Sequence, residues 1–353
     1  MIPNRNRPRL ARAASVALLA TCVATAACGG KTPTSPAPVS PQPTPPPAGA
    51  PQTSVRVVDA TSGAAISGVT PTINSQVMAA SDGGGLAVVW ASQPGQYTVI
   101  FSAGSTVSRT TSIKVPASEA SVSMIPASFD LAAFNEMFRA SQRLQRWTSA
   151  PPLVILTRAV QYEGNNYANA PLVLEDELTE SEQQAMVADL SDGFQVLTDR
   201  QLGGFSSVTF ESPEVGTRVN VMRTGAILVA RCKGLTEGSN YWGYGRWATN
   251  ATGAVLGGNV MIDADFDGPA SAWPQFRRSL RIHELGHALG YNHVTLRASV
   301  MNSSARLEPN AWDLQAVHIA FQRVPGNTNP DNDPSSFSLN LTTGAITWGP
   351  PIY

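Results

Sequence analysis

Cysteine is scarce in this sequence, which has three cysteines, Cys22, Cys28 and Cys232. The first two lie in or at the end of an apolar N-terminal run, so the chain that follows this run keeps only Cys232. A chain with one cysteine cannot form an internal disulfide, and its stability must come from apolar burial and any bound metal. Cys232 ends an apolar run, which predicts a buried thiol.

Basic clusters are absent as well. Lys and Arg total 24 against 25 Asp and Glu, and the basic residues are scattered along the chain. Proteins that bind nucleic acid concentrate Lys and Arg on one face or in one run. The composition therefore argues against a nucleic acid partner.

The N-terminal segment has the organisation of an export signal. Four arginines precede an apolar run over 13–27, which is shorter than the roughly 20 apolar residues of a bilayer-spanning helix but suits a signal peptide. Removing residues 1–27 leaves 20 Lys and Arg against 25 Asp and Glu, so the exported chain is acidic.

The residues around Cys28 resemble a bacterial lipobox. Ala26 and Ala27 precede this cysteine and two glycines follow it. The resemblance implies a lipidated Cys28 that attaches the protein to a bacterial membrane, in the outer membrane or at the cell surface. An ordinary signal peptide with an incidental cysteine, and hence a secreted protein, is the alternative. Residues 28–53 are rich in Pro, Thr and Ser, which predicts an extended linker.

Residues 54–126 have the pattern of a small β-sandwich. Short alternating runs such as Val55–Val58 and Tyr97–Phe101 are separated by turns such as the glycine-rich 81–85. The pattern resembles the carboxypeptidase regulatory-like, or transthyretin-like, sandwich of exported bacterial enzymes. Since a fold does not determine a function, a spacer and a binding module both stay open.

The remainder of the chain predicts a linker helix over 127–146, an α+β catalytic domain over 147–325 and an extended tail over 326–353. The expected fold of the domain is a mixed twisted sheet with an active-site helix and a C-terminal helix, so the whole chain is multidomain. Three helices are expected: an amphipathic helix over 129–147, a helix that begins at the capping box Thr179–Glu182, and a helix near 310–323. Strands are expected from 153 and over 219–222, 227–231 and 255–263.

The sequence from 283 to 293 reads HELGHALGYNH and has the spacing of a metal site. Histidines four apart share one helix face, so His283 and His287 can bind one ion. Gly290 is predicted to end the helix in a left-handed conformation, and the resulting turn brings His293 to the same ion. Three imidazoles leave one tetrahedral position open, which is typical of catalytic zinc. Glu284, beside the first ligand, is the predicted general base for an attacking water.

This string resembles the H-E-x-x-H-x-x-G-x-x-H signature of metzincin metalloproteases. Downstream, Ser299–Asn302 resembles the Met-turn, which implies that Met301 lies beneath the zinc site, at a spacing similar to the matrixin branch. The resemblance implies a zinc endopeptidase that hydrolyses protein or peptide substrates with Glu284 as the catalytic residue. The segment 256–265 resembles the matrixin edge strand, which pairs with an extended peptide. The pairing residues are then Gly257, Gly258, Asn259 and Val260.

The expected cofactor is a single catalytic zinc ion. Met261, or Asp265 in a shifted alignment, stands where matrixins often have a histidine for a second zinc. Asp263, Asp265 and Asp267 allow a calcium ion, but a solvated acidic loop is the alternative. His318 falls on the apolar stripe of a helix and is predicted to be a core residue.

Two alternatives stay open from the residues. Tyr241, Trp242, Tyr244 and Trp247 form an aromatic stretch that either lines a substrate cleft or covers the core. The second alternative concerns function, because a surface-anchored binding protein with a catalytically inert zinc domain is compatible with the same sequence. We expect a monomer in either case.

Overall fold

The computed structural model describes residues 43–164, 170–239, 241–335 and 345–353. The predicted signal peptide, Cys28 and much of the predicted linker lie outside these residues. Residues 42–353 form one compact unit, a mixed α/β arrangement with several sheets. Within the described part of the chain, every helix is too short or too polar to cross a bilayer.

The first seven strands form two small sheets that share one apolar core. The strand orders are β4-β1-β7 and β3-β2-β5-β6. In β1, Val55 and Val57 are buried while Ser54 and Arg56 are exposed, which is the alternation expected of a half-buried strand. The two sheets agree with the sandwich predicted for 54–126. Their bounds are β1 Gln52–Asp59, β2 Thr70–Ile73, β3 Gln76–Val77, β4 Leu86–Trp90, β5 Gly95–Ser102, β6 Arg109–Val115 and β7 Ala120–Met124.

A mixed sheet of eight strands forms the centre of the rest of the described chain. Its central strands β8, β12 and β14 are parallel, and β13 and then β15 follow in antiparallel orientation. Strands β12 and β14 are buried along almost their whole length, as parallel strands covered on both faces are. The bounds are β8 Leu153–Leu156, β9 Arg158–Gln161, β10 Val173–Glu177, β11 Val208–Glu211, β12 Ile227–Lys233, β13 Gly243–Thr249, β14 Val255–Asp263 and β15 Thr347–Trp348.

The predicted edge strand is wrong in its position. Gly257, Gly258, Asn259 and Val260 lie in β14, which is hydrogen-bonded to β12 on one side and to β13 on the other. A strand paired on both sides has no free main-chain groups for a peptide. Its glycines instead allow close packing, since a Cβ on Gly258 would stand 2.9 Å from the carbonyl oxygen of Ala288. The expected strand at 219–222 is also not formed.

Six α-helices complete the described structure: α1 Leu131–Arg139, α2 Glu180–Leu197, α3 Leu235–Ser239, α4 Ala264–Asp267, α5 Arg277–Ala288 and α6 Ala311–Phe321. The predicted capping box is present, because the backbone N–H of Thr179 donates to Glu182 at 2.8 Å and the backbone N–H of Glu182 donates to Thr179 at 3.3 Å. Helix α1 is shorter than expected. Helix α5 packs against β13, β14 and α2, which places it beneath the sheet's antiparallel side.

A buried ionic cluster joins the small sheets to the rest of the unit. Arg323, just after α6, forms two 2.7 Å bonds to Asp331, and it also donates to the backbone and side-chain oxygens of Ser123 in β7. Arg109 of β6 donates to Asp333 at 3.1 Å. The first part of the predicted tail is therefore interior rather than superficial, since Asp331 is fully buried.

Candidate metal centre

The helix α5 places two of the predicted ligands on one buried face. His283 and His287 are one turn apart and almost inaccessible to solvent. The helix ends at Ala288, and Gly290 follows with φ of +104°, a conformation that favours glycine. The chain then turns and brings His293 back to the same face, so the predicted role of Gly290 is confirmed.

The three imidazoles converge on one point. The Nε2 atoms of His283 and His287 are 3.1 Å apart, those of His287 and His293 are 3.2 Å apart, and those of His293 and His283 are 3.3 Å apart. Ligands at zinc–nitrogen distances near 2.0 to 2.1 Å in a tetrahedron are separated by about 3.3 Å. These histidines therefore lie close enough to hold one metal ion.

Backbone carbonyls orient two of the rings. The Nδ1 atom of His283 lies 2.7 Å from the oxygen of Val300, and that of His287 lies 2.7 Å from the oxygen of Tyr291. A carbonyl only accepts, so each Nδ1 carries the proton and each Nε2 presents a lone pair. Burial lowers the pKa of His283 to about 4, which keeps the ring neutral as metal ligation requires. Lone pairs facing one another at these distances repel unless a cation lies between them, so the donor set fits zinc.

Glu284 lies beside this cluster as a buried carboxylate. Its Oε2 atom has no hydrogen-bond partner among the described residues. Burial raises the pKa of this carboxyl well above its ordinary value. An unpaired buried carboxylate is costly and calls for a functional explanation. The group lines a cleft of about 280 Å³ that also contains His283, Trp242 and Tyr353.

The predicted Met-turn packs beneath the helix. Met301 is fully buried, and its sulfur lies so close to Gly286 that a Cβ at this position would collide with it. The turn is held by Asp313 of α6, which accepts from the Ser299 hydroxyl at 2.6 Å and from the Val300 N–H at 3.0 Å. Asp313 was not singled out from the sequence, although its spacing from Asn310 is that of a capping box, which the structure forms.

Strand β13 approaches the site through two glycines that sequence reasoning also missed. A Cβ on Gly243 would stand 2.6 Å from Oε1 of Glu284, and a Cβ on Gly245 would collide with His287. Only glycine permits such close contact between strand and helix. Gly243 and Gly245 alternate with aromatic and basic residues in the sequence, and this alternation could have indicated a strand whose glycine face packs closely against another element. The backbone of β13 therefore runs directly past the catalytic residues expected from the sequence.

Of the four aromatic residues at 241–247, two line the cleft and two cover the core, so each alternative holds for part of the stretch. Tyr241 and Trp242 line the cleft, whereas Tyr244 and Trp247 are buried in the core. The guanidinium of Arg306 lies over the Trp242 ring, 5.1 Å from its centre, and both side chains line the cleft. The cleft is thus lined by aromatic and cationic groups next to Glu284.

Two of the three aspartates suggested as calcium ligands, Asp263 and Asp267, are bonded to protein groups. Asp263 caps α4 by accepting from the Phe266 N–H at 3.0 Å, and the carboxylate of Asp267 binds Arg231 and Arg281 at 2.8 Å. These contacts give no support to the calcium suggested for Asp263, Asp265 and Asp267.

The two remaining sequence predictions had different outcomes. His318 is partly exposed and lies 2.7 Å from Asp199, so its prediction as a core residue is wrong. Leu314, one turn before His318, is exposed as well, because the buried face of α6 lies elsewhere on the helix. Cys232 is a buried thiol as predicted, and burial raises its pKa to about 12.

No protein-family model matches this chain, and no curated protein is significantly similar to it. The function is therefore argued from the geometry of the site.

Proposed function

We propose that this protein is a zinc-dependent endopeptidase with a metzincin-like, matrixin-like catalytic region. The observation that carries the proposal is the convergence of three histidine Nε2 atoms beside a buried, unpaired carboxylate in a cleft. A structural zinc site uses four protein ligands, whereas three histidines leave one position for water or substrate.

The ligands of the proposed zinc ion are His283, His287 and His293, and the ion supplies Lewis acidity that acidifies a water and polarises a carbonyl. Glu284 is the general base. Its free Oε2 accepts the proton of the attacking water and then delivers it to the departing amine of the cleaved peptide bond. The packing of Gly243 against Oε1 restricts the carboxylate to one orientation.

The peptide substrate is proposed to lie along the outer side of β13. This strand passes Glu284 and His287, so an extended chain paired with it crosses the metal site. Pairing by strand addition supplies affinity through main-chain hydrogen bonds. The cleft lined by Trp242 and Arg306 then receives one substrate side chain.

The proposed setting is the bacterial cell envelope. The lipobox-like residues at Cys28 and the linker after them attach a monomeric enzyme to the membrane, from which it reaches protein substrates.

The test uses the purified full chain with one equivalent of zinc, casein and a diverse peptide library. We expect cleavage that a chelator stops, no cleavage by Glu284→Ala, and unchanged zinc content in that variant. His318→Ala is the matched control, because this histidine lies outside the cluster, and it should keep activity and zinc. Zinc bound without hydrolysis by the wild-type chain would instead favour a binding protein with an inert metal region.

A further inference from the structure

The outer side of β13 is already paired with a segment of this chain. Residues 347–352 run antiparallel to it, with Trp348 opposite Ala248 and Ile352 opposite Gly245. Gly245 and Ile352 exchange both main-chain hydrogen bonds, each at 3.0 Å. The N–H of Gly349 also donates to the oxygen of Trp247 at 3.0 Å. We call residues 345–353 the C-terminal strap.

The strap ends in the candidate active site. Tyr353 lines the same cleft as His283 and Glu284. Its ring stacks on Tyr241 with the ring centres 4.7 Å apart, and its centre lies 5.4 Å from that of Tyr244. The partner of Ile352 is Gly245, whose backbone packs on His287 and Glu284. The strap thus follows the path that the proposed function assigns to a substrate.

Side chains anchor the strap further from the metal site. Arg246 donates to the oxygen of Gly349 through Nε at 3.1 Å and Nη2 at 2.9 Å. The ring of Trp348 lies over Gly257, where a Cβ would stand 3.0 Å from it. These contacts show that the strap has a defined seat along β13.

The seat is nevertheless a weak one. Pro350 and Pro351 have no N–H to donate, so the ladder has a gap between Gly349 and Ile352. An extended peptide without proline can make the missing bonds. One side of a strand can pair with only one other strand at a time. The N–H and C=O of Gly245 that bind Ile352 are therefore not available to a peptide while the strap is in place. Substrate and strap therefore compete for the same main-chain groups.

We propose that the C-terminal strap is an autoinhibitory strand that occupies the substrate position along β13 and must detach before a peptide binds. The inference rests on the proposed peptidase function, because that function makes the outer side of β13 the position of the peptide substrate. It assigns to residues 345–353 the control of access to the site.

The first test compares proline and valine at position 352 in the full chain. Ile352→Pro removes the N–H that donates to Gly245, whereas Ile352→Val keeps this N–H and most of the side chain. Loss of one net main-chain hydrogen bond predicts a roughly tenfold rise in kcat/KM on a short peptide, mainly through a lower KM. Ile352→Val should stay within about twofold of wild type. Unchanged or lower kcat/KM in a folded Ile352→Pro variant overturns the proposal.

The second test does not depend on catalysis. A labelled casein-derived peptide is titrated into the full-length Glu284→Ala chain and into the full-length Glu284→Ala chain that also carries Ile352→Pro, and fluorescence anisotropy is measured. The strap proposal requires tighter binding to the chain with Ile352→Pro, and displacement of the bound peptide by an unlabelled peptide with the sequence of residues 345–353. Equal binding by the two chains, or binding without displacement, overturns it. If no form of the protein hydrolyses peptides, the peptidase proposal fails while this competition still decides whether strap and peptide share one site.

Discussion

Asp313 and His283 are connected through the backbone of a single residue. The N–H of Val300 donates to the carboxylate of Asp313, and the carbonyl of the same residue accepts from Nδ1 of His283. The Asp313 carboxylate, which is fully buried, therefore holds Val300, whose carbonyl orients a candidate metal ligand. The connection joins α6 to α5 across the turn at residues 299–302.

This connection predicts that Asp313→Ala weakens zinc binding. Groups that orient metal ligands typically contribute about tenfold or more to affinity, so we expect a roughly tenfold higher Kd for zinc. The measurement is competition with a chelator of known affinity. Asp192→Ala is the control, because that side chain is 72% exposed and should leave the Kd unchanged. An unaltered Kd in folded Asp313→Ala would show that Val300 is positioned by other contacts.

Metal removal should lower thermal stability. Zinc that binds only the folded state stabilises it by about 4 kcal/mol when its free concentration is a thousand times Kd. We expect a lower Tm after dialysis against chelator and full recovery with zinc. His287→Ala should abolish the zinc-dependent rise in Tm, whereas Glu284→Ala should retain it, because Glu284 is not a ligand. An equal response in His287→Ala would place the metal elsewhere.

Helices α2 and α5 meet where Gly193 contacts Ile282. A Cβ on Gly193 would stand 2.9 Å from Cγ1 of that isoleucine. In an open helix, Gly→Ala stabilises by up to about 1 kcal/mol, but overpacking of a core costs about 1 to 3 kcal/mol. We therefore predict that Gly193→Ala lowers the free energy of unfolding measured by urea denaturation.

A second variant, Ile282→Ala, tests whether the contact between Gly193 and Ile282 causes this loss of stability. Ile282→Ala removes the atoms that collide, so Gly193→Ala should be neutral or stabilising when added to it. Destabilisation of the same size in both backgrounds would mean that the backbone of α2, and not this contact, responds to the substitution.

Acid should remove the contribution of the ionised Glu182 side chain to the free energy of unfolding. Burial acts to raise the pKa of its carboxyl, but hydrogen bonds from Thr179 and Arg231 outweigh it and bring the pKa down to about 2. A pKa that is lower in the folded state means that the ionised group stabilises the fold above the unfolded pKa, near 4.5. This stabilisation is lost as the pH falls from about 4.5 towards 2.

The measurement is the difference in free energy of unfolding between wild type and Glu182→Gln, with chelator present so that zinc release does not contribute. We expect the difference to shrink as the pH falls through this interval. Glu180→Gln changes an exposed neighbour in the same turn and is the control for the loss of a carboxylate at this end of the helix. A constant difference for Glu182→Gln would exclude the carboxylate's charge as the source.

Local patterns were readable from the sequence, and long-range pairing was not. The spacing of His283 and His287 and the stop at Gly290 follow from helix geometry alone, so the cluster could be predicted. The bounds of β14 were also correct. The position of β14 inside the sheet was predicted wrongly. Its glycines are packed by Ala288 and Trp348, but in the sequence a glycine-rich strand has the same pattern as an exposed edge strand. Strand order depends on partners about a hundred residues away, as the pairing of Trp348 with Ala248 shows.

The buried ionic cluster illustrates the same limit. Arg323, Asp331 and Ser123 come from distant parts of the chain, and no periodicity indicates that they meet. Scattered charges in a polar tail suggest a solvated segment. The small sheets and the larger one, which this cluster connects, form a single compact unit, which the separate patterns of 54–126 and 147–325 did not require.

This cluster yields the last prediction, because Arg323 and Asp331 are both fully buried. Burial lowers the pKa of Arg323 to about 10, so both groups are charged at neutral pH and each needs the other. Removing one partner of a buried pair leaves an uncompensated charge and costs about 3 to 5 kcal/mol. Asp331→Ala should lower the free energy of unfolding by this amount in urea denaturation.

The control is the exposed pair of Lys233 and Asp176, whose side chains are 46% and 57% exposed. Asp176→Ala should change stability by no more than about 1 kcal/mol. Because Arg323 also binds Ser123 of the small sheets, Asp331→Ala should further separate the unfolding of residues 52–124 from that of the larger sheet. Two transitions are then expected where wild type shows one. A single transition with a loss similar to that of Asp176→Ala would show that the apolar contacts alone join the two parts.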